Sequence, residues 1–181
     1  MFAYAAAHGV KLRAAGTEVQ VRRPRAGRPG RRAFVSGKKK QNTIKATAVS
    51  DGAGRLPWLG ACRPGRMHDA TAPRTEGIED LLRRCPRVRA EVDAGHQGLA
   101  RDFPGQASAP PKKPGKDAAP EDTARWDQER RQQSSQRICI EHAIAEPRQW
   151  KPCSATSEPR DHFPETAPAI AGLVSDRAAA R

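Results

Sequence analysis

Polar and apolar residues alternate through residues 16–22, so that Thr17, Val19 and Val21 share one side of a strand and Glu18 takes the other. Carrying the period backwards puts Ala15 on the Val19 side. Residues 1–14 carry little pattern. Further strands are expected at residues 43–50 and 55–62, joined by the turn Asp51-Gly52-Ala53-Gly54. Pro57 confines the second of these to a sheet edge. Ile78, Leu81, Leu82 and Cys85 then recur at helical spacing, with Asp69 or Thr71 as N-cap and Pro86 as the stop. Residues 88–95 alternate as a strand that runs into Asp93, Gly95 and Gly98. A carboxylate ending a strand lies where α/β sheets place their chemistry, or it begins an Asx-type turn.

Helical periods return after residue 120. Pro120, Glu121 and Asp122 open a polar helix that passes Trp126 and ends near Gln133. Ser134 or Ser135 caps a second helix, which Pro147 stops. Ile138, Glu141, Ile144 and Ala145 share a face of that second helix. Glu141 then sits within an apolar stripe and requires a partner. Arg137, four residues earlier, supplies one as a salt bridge; a metal ion is the other reading. A last short helix carries Ile170, Leu173 and Val174 as its stripe.

Composition bounds what these elements can build. The 181 residues suit one domain, but a hydrophobic fraction of 36%, with 16 prolines and 15 glycines, predicts a small core and long loops. The net charge of +13 is concentrated in Arg22, Arg23, Arg25, Arg28, Arg31, Arg32, Lys38, Lys39 and Lys40, a run without an acidic residue. Lys112 and Lys113 add to it from a Pro-rich linker at residues 104–120. Charge this dense favours a polyanion, and the lack of an accompanying apolar face favours nucleic acid over a membrane. Cys62, Cys85, Cys139 and Cys153 form no CxxC pair, and no run of about 20 apolar residues exists. A cytoplasmic protein with reduced thiols is expected.

Several words occur in an order and spacing that resembles one family. They are Gly16-Thr17-Glu18-Val19, then residues 34–42, Arg63-Pro64-Gly65 with His68-Asp69, residues 92–98, and Arg137-Ile138 with Ile140-Glu141-His142. Together they resemble the DDE-superfamily endonuclease transposases of bacterial insertion sequences, over roughly residues 15–175. The resemblance implies an α/β, RNase H-like mixed sheet with flanking helices. It also implies carboxylates that hold divalent metal, Mg2+ or Mn2+, for DNA strand cleavage and transfer, with DNA as partner and homo-oligomers allowed. By position Asp93 and Glu141 are two of the acids, and His68, Asp69, Arg137 and His142 belong to the supporting words. The implied layout is a non-matching remnant at residues 1–14, a catalytic domain at 15–151 with a basic loop at 22–33, and a Pro-rich tail at 152–181.

The chain also departs from this pattern. Ala15 stands at the position of the first aspartate, and a methyl group cannot ligate a metal. Glu18 points to the wrong face of an unbroken strand, while Asp51 and Asp69 could substitute only if the fold places them beside Asp93. His96 replaces a tyrosine, and nothing before residue 15 matches a terminal-repeat-binding region. The expectation is an N-terminally truncated catalytic domain with impaired cleavage. Its alternatives are a non-catalytic nucleic-acid-binding protein and a chain too poor in apolar residues to fold stably.

Overall fold

The computed structural model describes residues 1–22, 31–68, 71–150 and 162–180. Arg23, Arg25, Arg28, Asp69, Cys153 and the rest of residues 151–161 lie outside the described residues. Helix α1 (Phe2–His8) leads into β1 (Leu12–Gln20), and a single 3-10 turn (Arg31–Phe34) precedes β2 (Thr43–Ser50). Short strands β3 (Trp58–Leu59) and β4 (Arg63–Pro64) follow, then α2 (Ala72–Thr75), α3 (Ile78–Arg84) and β5 (Ala90–Val92). The chain continues through α4 (Gln97–Asp102), β6 (Ala107–Ser108), α5 (Pro120–Gln149) and α6 (Phe163–Ala179).

Among the described residues the strands form one mixed sheet in the order β3-β2-β1-β5-β6, with β4 also on β2. β1 runs antiparallel to β2 and parallel to β5. This is the α/β sheet with flanking helices that the sequence implies. Alternation along β1 decides which layer each residue joins. Leu12 and Ala14 pack with Val49, Ala90 and Val92 against Ile78, Leu82 and Leu99. Ala15 and Ala48 face Ile140, Ala143 and Ile144 of α5, while Val19, Val21 and Ile44 face Phe163, Ala167 and Ile170 of α6.

Several expected boundaries shift for identifiable reasons. β1 begins at Leu12, four residues before the expected start, with Leu12 and Ala14 alternating around Arg13 so that both enter the layer of Ile78 and Leu82. The strand expected at 55–62 shrinks to two residues. Asp51 draws the amides of Ala53 and Arg55 to its Oδ1 at 2.9 and 3.1 Å, and Pro57 has no amide to pair. The strand expected at 88–95 ends at Val92, where Asp93 turns into a 3-10 turn, Ala94–His96. The stretch at 104–120 is more than a linker: it contains β6, and Pro111 accepts a hydrogen bond from Trp126 Nε1 at 3.1 Å.

The two helices expected on either side of Ser134 are one helix of 30 residues. Both serines sit exposed on its surface, where their modest helix propensity is tolerated. Pro147 lies inside its last turn and does not stop it. The buried stripe is Ile140, Ala143, Ile144 and Pro147, spaced i, i+3, i+4, i+7. Ile138 is exposed, and so are Glu141 and Ala145, so the stripe expected through Glu141 is rotated away from the sheet. On α6, Ile170 and Val174 are buried as expected but Leu173 is exposed.

One charged residue is built into the sheet itself. Glu91 on β5 is 4% exposed and pairs with Lys11 Nζ at 3.0 Å and Arg13 Nε at 3.1 Å. Removing one member of a buried pair strands the other, at about 3–5 kcal/mol. Glu91→Ala is therefore expected to lower unfolding free energy by roughly 3 kcal/mol in urea titration. A loss below about 1 kcal/mol, the scale of an exposed pair, would show that Arg13 is solvated.

Candidate active site

The site grows from the end of β5. β1 and β5 run side by side as far as Ala14 and Val92, after which β5 stops and β1 continues. The amide of Gly16 then faces no backbone carbonyl, and the Asp93 carboxylate takes its place. Gly16 N–H donates to Asp93 Oδ2 at 3.0 Å. Asp93 Oδ1 bonds the Nδ1 of His96, a residue 2% exposed, whose own amide donates to the Asp93 carbonyl at 3.0 Å. The Asx-type cap that might have explained Asp93 does not form.

Burial pushes the Asp93 carboxyl up, but the His96 ring, the Gly16 amide and the positive charge of Arg137 outweigh it. The group ends below its ordinary value. Arg137 lies on α5 one turn before Ile140, so it continues the buried stripe, and its side chain is only 16% exposed. Its guanidinium also reaches Glu141 Oε1 at 3.7 Å, an intrahelical pair whose glutamate is exposed where a buried pair is expected from the sequence. Glu141 itself is 66% exposed. The inward-facing charged residue of this helix is the arginine, not the glutamate.

Behind Asp93 lies a second polar layer, of which the sequence did not single out Thr47 or Glu76. His96 Nε2 has no hydrogen-bond partner among the described residues. It lines a small pocket with Gly16, Thr47, Arg63 and His68. Glu76 lies close by: burial raises its carboxyl above the ordinary range, against the opposing pull of Thr47, Arg63 and His96. The Arg63-Pro64-Gly65 word has a steric reason here. A Cβ on Gly65 would fall 1.8 Å from Thr43 Oγ1, so only glycine lets β4 close on β2.

The remaining sequence candidates scatter. Ala15 is 3% exposed within the apolar cluster under α5. Glu18 points to the opposite face and accepts from Thr43 Oγ1 at 2.6 Å. Asp51 is consumed by its own turn and by Arg55. His142 is exposed on α5. No group of three or more His, Cys, Asp or Glu residues that could hold a metal occurs among the described residues. The donor set therefore does not fit the divalent ion that the family resemblance implies: one acid is missing, one is spent on protein partners, and one faces solvent.

The basic surface is organised elsewhere on the same strands. Ser36, fully buried, accepts from the amides of Lys38 and Lys39 at 3.3 and 3.1 Å, and its carbonyl accepts from Lys40 N–H at 3.0 Å. The turn holds Lys38, Lys39 and Lys40 outward. Beside it, Arg31, Arg32 and Lys40 line an open groove with Gln20, Val21 and Asn42. Gln20 lies four residues beyond Gly16, roughly 14 Å along β1. Arg22 is exposed just past that strand. Lys113 instead packs over the Trp126 ring, 5.9 Å from its centroid, and Lys112 is exposed next to it.

The profile of the family described as DDE superfamily endonuclease matches residues 14–174. No curated protein and no solved structure matches the chain.

The depressed Asp93 carboxyl gives a pH signature. A carboxylate lowered by folding contributes stability above its unfolded value, near 3.9, and loses it as pH falls through the folded value. Asp93→Asn is expected to cost about 1–3 kcal/mol near neutrality, the range for charged hydrogen bonds, with the difference fading in acid. Denaturation at several pH values checks this. A cost that stays constant from neutral to acidic pH would mean the charge of Asp93 is irrelevant.

Proposed function

The chain belongs to the DDE superfamily endonuclease family, and we propose that it binds DNA through its basic face while its strand-cleaving centre is incomplete. The observation that carries this reading is Ala15. It is buried on β1 next to the strand that delivers Asp93, where the family resemblance calls for the first metal-binding acid. Two-metal phosphodiester cleavage needs hard oxygen donors held rigidly on both sides of the reacting phosphate. Asp93 and Glu141 are the acids that remain for such chemistry, and neither is presented as an open ligand. Asp93 is bonded to Gly16 and His96, and Glu141 pairs with Arg137 within its own helix.

The surface suited to a nucleic-acid backbone is present. Lys38, Lys39 and Lys40 stand exposed on a hydrogen-bonded turn, and Arg31 and Arg32 line the groove beside them. Contacts of this kind neutralise phosphates and carry little sequence preference. Arg23, Arg25 and Arg28 would extend the same run. Among the described residues no helix is long and apolar enough to cross a membrane.

Fluorescence anisotropy with a labelled DNA duplex tests the proposal. Affinity is expected to fall steeply as salt rises, and replacing Lys38, Lys39 and Lys40 together by alanine should flatten the log–log slope by about 2–3. An unchanged slope would remove the lysine turn from the interface. Incubation of supercoiled DNA with Mn2+ should leave it unnicked. Nicking that disappears in both Asp93→Ala and Glu141→Ala would show a working centre and overturn the cleavage half of the proposal.

A further inference from the structure

The groove beside the lysine turn offers more than charge. Its volume is about 650 Å³, within the roughly 300–1,000 Å³ of sites that enclose small organic groups. Arg31, Arg32 and Lys40 supply its cations, and Gln41 and Asn42 set two amide side chains among them. Asn42 is fixed through its backbone: its carbonyl accepts from Val21 N–H at 2.9 Å, and it bridges to Val35. Its side-chain Oδ1 is buried, yet it has no hydrogen-bond partner among the described residues. A buried acceptor without a donor is costly, so a ligand that brings an N–H is favoured beside it. Val35, 36% exposed, adds an apolar patch to the lining. Lys40 enters the groove with a φ of 56°, in the left-handed region where a lysine is strained, and strain of this kind gathers at ligand clamps.

A phosphate group would use the cations and leave the amides and the apolar patch idle. Amide, guanidinium and aliphatic groups together match a nucleobase, which has a flat face and an edge of donors and acceptors. In a duplex that edge lies on the floor of a groove and is read by a protruding helix or ribbon. The site here is itself concave, the form suited to a base that stands free of the stack. We propose that this groove receives an unpaired base of a DNA strand, with Asn42 and Gln41 on its edge, Val35 against its face, and Arg31, Arg32 and Lys40 on the flanking phosphates. The inference rests on the DNA-binding reading of the basic face and adds to it a preference for single-stranded over paired DNA.

Fluorescence anisotropy at one salt concentration compares three labelled probes: a single strand, the same strand made abasic throughout, and its duplex. The abasic strand keeps the phosphates and loses only the bases. The intact strand is expected to bind about tenfold more tightly than either of the others. Asn42→Ala and Gln41→Ala should each bring the ratio of intact to abasic affinity towards one, whereas a general folding fault would weaken both probes alike. Gln41 is exposed, so its variant decides should Asn42→Ala fail to fold. Equal affinity for intact and abasic strands, a duplex bound as tightly as the single strand, or a ratio that neither substitution moves overturns the inference. Equal but salt-sensitive binding of all three probes would overturn it alone and leave the phosphate contacts standing. Absence of salt-sensitive binding to any probe would overturn both.

Discussion

The Asp93 carboxylate is the interaction on which the site depends. It completes the hydrogen bonding of β1 where β5 runs out, through the Gly16 amide, and it anchors the buried His96 ring. It also lies within the field of Arg137 on the long helix. A strand edge, a 3-10 turn and a helix therefore meet at one charge. The Gly16 amide, exposed at this point of β1, gains a charged acceptor in place of a strand carbonyl, a stronger bond than a neutral one. Such an arrangement needs no metal to be stable.

The surrounding fold accommodates alanine at the position where the family resemblance calls for an aspartate. Ala15 packs into the apolar cluster beneath α5, where a small side chain lets Ile140 and Ala143 approach the sheet. An aspartate there would need a cation, and Arg137 is placed one turn from Ile140. The endonuclease family fold persists because its sheet is held by other forces: the β1–β2 ladder, the layers on both faces, and the Glu91 ion pairs.

Much of this architecture can be read from residue order, and the failures have physical causes. The β2 strand, the α3 helix ending before Pro86 and the inward position of Ala15 follow from period and punctuation alone. The face of α5 was misassigned because two stripes overlap at Ile144. The true one includes Pro147, a residue that reads as a stop rather than as apolar surface. Rotating the helix exchanges the roles of Glu141 and Arg137, which no count of apolar positions reveals when both are charged and one turn apart. His96 and Glu76 carry no periodic signal either, since their burial is created by strands and turns distant in the chain. The lysine turn at Ser36 was legible as charge, but its rigidity comes from amide-to-hydroxyl bonds that composition does not show.

Everything at the site turns on whether Asp93 stays committed to Gly16 and His96 or is free to hold a metal. A crystal structure from crystals soaked in Mn2+, with anomalous diffraction collected at the manganese edge, answers this directly. The expected result is Asp93 still bonded to Gly16 and His96, with no anomalous peak at the site. A manganese peak bridging Asp93 and Glu141, with Arg137 displaced towards solvent, would contradict it.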